Sequence, residues 1–201
     1  MDAIIMCAGR GSRLSPITDK IPKCMVELKN KSIIKRSIDT LTEAGISNII
    51  IVTRYKEDIL KLHLKSYNKL KFAHQHEMDG TARAIHHAKK WIKYNSFIVI
   101  SGDIVYKKAD ILRLMKMENS LLYTELDTKL YEYGTLDYIE SDTSGIIDIN
   151  YINEKVSRPT SNYVNCGAYH FTKDVFDYIE ITPKDIRYNE VIITNTSPLC
   201  D

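Results

Sequence analysis

The chain has 201 residues, 44% hydrophobic and 27% charged, with a mean hydropathy of -0.25; this is enough apolar material for one sizeable core and too little for a membrane span. Twenty-eight Lys and Arg stand against 26 Asp and Glu, a formal charge of +2, so no global field favours a nucleic acid partner and any anion must be met locally. Cys7, Cys24, Cys166 and Cys200 form no C-x-x-C pair and no Cys/His metal spacing, which reads as free thiols in a reducing compartment.

The first predicted element is a strand over residues 3–7. The apolar run ends at Ala8 without the basic leader or the length of a signal peptide, so the expected location is the cytoplasm. Residues 32–44 carry Ile33, Ile34, Ile38, Leu41 and Ala44 at helical spacing, with Ser32 placed to cap the helix and Gly45 to stop it. Strands over 48–53 and 97–101 are continuous and rich in Ile and Val, as strands buried on both faces are. Further helices are expected over 57–65 and 81–91. This β-α-β-α order predicts right-handed crossovers and an α/β fold of three layers, α/β/α, around an open, mixed, mainly parallel sheet. In the second half, strands over 120–128, 131–140, 145–153 and 164–171 are joined by short turns such as 142–145. These later strands are expected to cover one side of the ligand site. No repeat, low-complexity tract or linker interrupts the chain, so residues 1–201 read as a single domain. Ligands of such a sheet bind beyond the C-terminal strand ends, which directs attention to the loops after Cys7, Thr53, Phe72 and Ser101.

The first of these loops runs Ala8-Gly9-Arg10-Gly11-Ser12-Arg13-Leu14 and continues through Pro16, Thr18, Pro22-Lys23 and Met25. Its glycines let backbone N–H groups approach a polyphosphate, and Ser12, Arg13 and Lys23 add donors and positive charge. The dinucleotide fingerprint needs a third glycine where this chain has Leu14, and the Gly-Lys-Ser/Thr of the Walker loop is absent, so both common nucleotide motifs are disfavoured.

From Ala8 to Lys23 the chain matches the signature A-G-x-G-[ST]-R-[LM]-x-P-x-T followed by P-K, and it thereby resembles the sugar-1-phosphate nucleotidylyltransferases. Later landmarks fall in the family's order: Gln75 five residues before Gly80-Thr81-Ala82, a Gly102-Asp103 step after a strand, Gly134, Glu154-Lys155, and Asn165-Cys166-Gly167. The stretch from Glu154-Lys155 to Ser161-Asn162-Tyr163 looks like the thymidylyltransferase branch. The resemblance implies a Rossmann-like nucleotidyltransferase fold and attack of a sugar 1-phosphate on the α-phosphorus of a nucleoside triphosphate, with pyrophosphate released. It implies that Ala8, Gly9, Gly11 and Ser12 cradle the triphosphate, that Arg13 holds its β- and γ-phosphates, and that Lys23 meets the α-phosphate and the incoming phosphate. Asp103 is then the ligand for Mg²⁺, Gln75 with Gly80 and Thr81 reads the base, and Gly134, Glu154, Lys155 and Asn165 bind the sugar phosphate.

Each assignment has a plainer competitor. Asp103 is equally a turn cap after a strand, Gln75 a polar strand-end residue, Glu154 a surface carboxylate and Asn165 a residue satisfying local backbone, while Gly134 reads as a bulge glycine that leaves room for a sugar ring. His74 and His76, and His86 and His87, are read as surface or core fillers rather than metal ligands, and Lys61, Lys65, Lys69 and Lys71 as a solvated face. One departure stands out: the family completes its metal site with an Asp or Asn beyond a helix that residues 189–192 would begin, and neither that ligand nor the usual C-terminal arm lies within the 201 residues. The amide of Gln75 offers both a donor and an acceptor, matching the edge of uracil or thymine, so UTP or dTTP is the expected donor. Guanylyl transfer to mannose 1-phosphate, cytidylyl transfer to an alcohol phosphate, and a catalytically weak nucleotide-sugar-binding regulatory subunit are the alternatives. The expected partners are the two substrates, with no nucleic acid and no membrane, and homo-oligomerisation is left open.

Overall fold

The computed structural model describes residues 1–140 and 145–196. In chain order the elements are β1 (Asp2–Met6), the short pair β2 (Glu27–Leu28) and β3 (Lys31–Ser32), α1 (Ile33–Glu43), β4 (Asn48–Thr53), α2 (Glu57–His63), β5 (Leu70–His74), α3 (Thr81–His87), β6 (Ser96–Ser101), α4 (Lys108–Leu114), β7 (Ser120–Glu125), β8 (Gly134–Glu140), β9 (Ile147–Glu154), β10 (Tyr163–Thr172) and α5 (Val175–Ile181). Among the described residues no helix is long and apolar enough to cross a membrane.

One eight-stranded sheet runs β5-β4-β1-β6-β10-β8-β9, with β7 also paired along β10. The pairs β1–β4, β1–β6 and β4–β5 are parallel, whereas β10 lies antiparallel to β6, β7 and β8. Strand alternation sorts the apolar residues onto the two faces. Ile4, Ile50, Val52 and Val99 face α3 and α5, packing with Ile85, Val175, Phe176 and Ile179. Ala3, Ile5, Ile49, Ile51, Ile98 and Ile100 face α1, α2 and α4 through Ile34, Ile38, Leu41, Leu60, Ile111 and Leu114. Both faces are covered by helices and buried, as continuous apolar strands require, and the three-layer α/β/α architecture with a mixed, mainly parallel sheet follows directly.

Element boundaries differ from the sequence reading for local reasons. Gly45, at φ +89°, does end α1: its N–H reaches Thr42 O at 3.0 Å and that of Ile46 reaches Leu41 O at 3.0 Å, a left-handed helix stop. Ser32 occupies the N-cap position but makes no capping bond; its hydroxyl is 2.8 Å from His63 Nε2 instead. The helix expected over 57–65 stops at His63, and that over 81–91 stops at His87 and continues as a tight turn over Lys89–Trp91. The strand expected from residue 131 starts at Gly134 because Leu130–Glu132 form a tight turn, and the strand expected over 120–128 ends at Glu125. The turn predicted over 142–145 lies outside the described residues except for Gly145. Residues 189–192 begin no helix: Asn189 has φ +55°, Glu190 bridges to Asp185, and Ile192 is extended.

At the N-terminal end of the sheet, Asp2 is wholly buried. It accepts from Lys93 N and Tyr94 N at 2.5 and 2.9 Å and from Asn48 Nδ2 at 2.6 Å, which ties β1, β4 and the entry to β6 together. Asp2→Ala strands these buried donors and is expected to cost about 2–4 kcal/mol. Urea unfolding should show the midpoint fall with an unchanged slope.

Candidate functional site

The chain moves outward from β1 to β4 and β5, then returns to place β6 on the other side of β1. The C-terminal ends of β1 and β6 therefore flank a topological switch point, where the loops diverge and leave a crevice. Gly102 sets its floor. The Gly102 N–H donates to Met6 O at 3.0 Å, and a Cβ on Gly102 would lie 2.4 Å from Cys7 Sγ, so only glycine lets the chain leave β6 here and carry Asp103 toward the first loop. On the facing side, Gly11 at φ +68° would, with a Cβ, meet the Lys23 side chain at 2.9 Å. The loop is closed by buried Thr18, whose hydroxyl donates to Gly11 O at 2.9 Å, and Tyr55 OH donates to Thr18 O at 2.9 Å.

The result is a cleft of about 380 Å³ lined by Ala8, Gly9, Gly11, Arg13, Lys23, Gln75, Gly80, Thr81 and Asp103, a volume in the range of small-molecule sites. Of the residues expected to hold the triphosphate, metal and base, only Ser12 does not line it. Arg13 is exposed, and the cleft gains a carboxylate, Glu190, that the sequence reading did not single out. Lys23 Nζ is ion-paired with Asp103 Oδ2, their side chains 36% and 33% exposed; a pair this wet contributes at most about 1 kcal/mol and is readily exchanged for other partners. Asp103 therefore faces a cation across the cleft, and no hydrogen bond among the described residues shows it capping a turn. Cys7 and Cys24 lie at the buried base. Hydrogen bonding to Cys24, then burial, push the Cys7 thiol well above its ordinary value, so it is a neutral wall and not a nucleophile.

Gln75 follows β5 and is 4% exposed. Its N–H donates to Thr53 O at 2.8 Å, and its Nε2 donates to Asp79 Oδ1 at 2.8 Å and Gly80 O at 3.1 Å. Gly80, at φ +111°, passes so close to Val191 that a Cβ would sit 2.3 Å from Val191 O. Around this crossing Val191 N donates to Asp79 O at 2.8 Å, Ala82 N to Val191 O at 3.0 Å, and Ile193 N to Thr81 Oγ1 at 3.0 Å.

The residues expected to hold a sugar phosphate form a second group, outside the lining of the first cleft. Gly134 pairs in regular register with Glu154, and a Cβ there would lie 2.9 Å from Glu154 Oε1. It is thus not a bulge glycine; the irregularity in this pair falls at Asp137/Tyr138. Thr194 Oγ1 donates to Glu154 Oε1 at 2.9 Å, and Arg187 Nη1 donates to Glu154 O at 2.9 Å. Hydrogen bonds from Arg187 hold Asp185 well below the usual carboxylate range. Lys155, at φ +48°, places Nζ 5.1 Å from the Tyr188 ring centre. Asn165 is engaged locally: Oδ1 accepts from Gly167 N at 2.8 Å, and Nδ2 donates to Tyr169 OH at 2.7 Å, fixing the β10 irregularity that Tyr106 OH also holds through Cys166 O and Gly167 O. Segment 190–194 thus spans the two groups, with Glu190 in the cleft and Thr194 on Glu154.

Among the described residues no three His, Cys, Asp or Glu side chains form a group that could hold a metal by themselves. The Asp103 carboxylate, in a cleft that Glu190 also lines, suits a small hard cation that takes its other ligands from substrate oxygens and water. The histidines do gather, with ring centres 5.0 Å apart for His74 and His76 and 5.6 Å for His76 and His87, but His74 is spoken for by Glu57. Of the lysines read as a solvated face, Lys61 pairs with Glu57 and Lys71 lies 5.0 Å from the Trp91 ring centre.

A family model described as nucleotidyl transferase matches residues 2–199. A protein named bifunctional GlmU from Methanocaldococcus jannaschii is 34% identical over 182 residues, covering 90% of this chain and 42% of its own length. A Xenopus laevis mannose-1-phosphate guanyltransferase beta-A is 29% identical over 199 residues, covering 93% of this chain and 54% of its own. The chain therefore spans about half the length of the curated relatives it matches. Among solved structures, a UDP-glucose pyrophosphorylase complexed with UDP-glucose superposes with a TM-score of 0.83 at 24% identity, over 96% of this chain and 84% of that one, which establishes the likeness of fold.

Gly80→Ala tests the crossing that joins the two groups. It forces a side chain onto positive φ against Val191 and is expected to cost about 1–3 kcal/mol. Hydrogen exchange should show the Val191 and Ala82 amides losing protection before the sheet does.

Proposed function

From the premise that this chain belongs to the nucleotidyl transferase family, we propose that it transfers a nucleotidyl group from a nucleoside triphosphate, UTP or dTTP favoured, to a sugar 1-phosphate, releasing a nucleotide-sugar and pyrophosphate. The observation that carries the reading is the convergence of Arg13, Lys23 and Asp103 on one cleft at the switch point, with Gln75 on its wall. Residues 1–201 are read as one nucleotidyltransferase unit.

An oxygen of the sugar phosphate attacks the α-phosphorus, a new P–O bond forms, and the bond to the β-phosphate breaks with its electron pair leaving on pyrophosphate. The nucleophile is a phosphate monoester, mostly dianionic near neutral pH with a second pKa of about 6, so no side chain has to remove a proton. The protein's task is alignment and neutralisation of charge. The Gly9–Gly11 backbone admits the triphosphate, and Arg13 meets its outer phosphates. Lys23 leaves Asp103 for the α-phosphate and the incoming phosphate, an exchange that the weakness of the exposed pair makes inexpensive. Asp103, released from Lys23, would hold Mg²⁺ together with triphosphate oxygens, and the ion would neutralise charge on the leaving pyrophosphate. On the far wall Glu154, Lys155 and Gly134 are read as the sugar-phosphate side. Asn165 contributes there by shaping β10, since its side-chain atoms are already bonded within the strand.

A second reading, guanylyl transfer, has a specific observation in its favour. With Nε2 of Gln75 turned to Asp79 and Gly80, the atom left for a base is the acceptor Oε1. Guanine carries a ring N–H to meet it as uracil and thymine do, whereas adenine and cytosine present a lone pair.

Pyrophosphate release from UTP, dTTP, GTP, CTP and ATP, each with a panel of sugar 1-phosphates and Mg²⁺, tests the reading. UTP or dTTP should turn over fastest. GTP in front moves the assignment to guanylyl transfer, and binding without turnover moves it to a regulatory nucleotide-sugar-binding subunit. Arg13→Ala and Lys23→Ala are each expected to lower kcat/KM at least about a hundredfold with little change in melting temperature, because they remove charge that acts on the transition state. Asp103→Asn should raise the Mg²⁺ concentration needed for half-maximal rate and leave the melting temperature nearly unchanged.

A further inference from the structure

Asp79 stands four residues after Gln75, and the amide it touches belongs to a buried polar side chain lining the cleft. A glutamine amide can face a ligand in either of two orientations, presenting oxygen or NH₂, and unless something breaks that symmetry it reads no base edge. Here two acceptors break it. Asp79 Oδ1 and Gly80 O take the two N–H bonds of Nε2, at 2.8 and 3.1 Å. An ionised carboxylate and a peptide carbonyl both accept only, so turning the amide over would lose both bonds and bring its oxygen against two others.

The Asp79 backbone is itself held. Its carbonyl accepts from Val191 N at 2.8 Å, which fixes the backbone at the crossing with segment 190–194. Its side-chain charge also acts on His87 of α3, opposing the lowering that burial imposes on that imidazole. No hydrogen bond from a described residue reaches Gln75 Oε1, and Gln75 lines the cleft.

We propose that Asp79 is a positioning residue for specificity: it locks the Gln75 amide with Oε1 toward the base, so that the pocket accepts nucleobases with a ring N–H at that edge (uracil, thymine, guanine) and rejects cytosine and adenine. The inference rests on the proposed nucleotidyl transfer for the identity of the ligand as a nucleoside triphosphate. Asparagine at position 79 offers both an acceptor and a donor and so enforces the orientation less strictly, and leucine removes the side-chain acceptor and leaves Gly80 O alone.

The test is equilibrium binding of UTP, dTTP, GTP, CTP and ATP to the full chain by titration calorimetry, in wild type, Asp79→Leu and Asp79→Asn, with pyrophosphate release measured on the same preparations. In wild type the best ring-N–H nucleotide should bind at least about tenfold tighter than CTP, the discrimination a mismatched hydrogen bond provides. Asp79→Leu should lower that ratio about tenfold, with a gain in CTP affinity in absolute terms, and Asp79→Asn should fall between. A merely structural role would weaken all the nucleotides alike. Parallel weakening, an unchanged ratio in either folded variant, or no preference in wild type would overturn the proposal, and Asp79→Asn decides it if the leucine variant does not fold. A wild-type preference that depends on Asp79 without any pyrophosphate release sinks nucleotidyl transfer and leaves the positioning role standing. Turnover with an Asp79-independent preference does the reverse.

Discussion

The passage of Gly80 under Val191 is the contact on which the base side of the site and its link to the second group depend. Residues 79–82 and 190–193 are more than a hundred positions apart in sequence, yet they exchange backbone bonds on both sides of the crossing, and a methyl group at Gly80 would overlap the Val191 carbonyl. This contact fixes three things at once. It starts α3, because the residues that donate and accept there are the helix's first turn. It presents Asp79 to Gln75, and it lays segment 190–194 from the cleft to Glu154, where Thr194 closes the second group. The phosphate side of the site is by contrast built locally, from the strand ends of β1 and β6 and the Gly11–Thr18 closure.

Charge is distributed to match this division. On the phosphate side the charged groups are wet and loosely paired: Arg13 has no hydrogen bond or ion pair with another described residue, and Lys23 and Asp103 hold each other at about a third exposure. On the base side Gln75 is buried and its amide N–H bonds are both taken, by half-buried Asp79 and by Gly80 O. In water-exposed surroundings an ion pair is worth little and can be traded for a phosphate or a metal ion, whereas a buried amide with satisfied donors keeps its orientation. The cleft thus combines an adaptable electrostatic half with a rigid hydrogen-bonding half.

What the sequence revealed follows the range of the interactions involved. The strands β1, β4 and β6 were readable because burial on both faces leaves continuous apolar runs, and the first loop because its glycines and cations sit within sixteen residues. α4 and α5, seven-residue helices of the same length as α2 and α3, were not anticipated. The Asn189 helix was expected from the family resemblance alone and fails because Asn189 takes up positive φ and Glu190 bridges back to Asp185. Glu190, Thr194 and Arg187 became visible as site residues only once that segment lay across the sheet. Asp79 was within reach, since an acceptor four residues after a base-reading glutamine can satisfy its amide, but the turn needed for the contact is set by Val191.

Some signature residues are explained by the fold and others are not. Gly11, Gly80, Gly102 and Gly134 each have a neighbour within 3 Å of where a Cβ would sit, and Thr18 and Asn165 complete local backbone bonds. Any sequence adopting this chain path would need something close to them, so their place in a signature speaks first for the fold. Arg13, the exposed pairing of Lys23 with Asp103, and the unbonded oxygen of Gln75 satisfy nothing in the folded chain. Groups that a protein keeps at a cleft without structural employment are those whose partners arrive from outside, and here they are two cations, the Asp103 carboxylate and one directed acceptor, in a cleft that Glu190 also lines. A ligand complementary to that series carries several negative charges at one end, a divalent cation between, and a ring N–H at the other.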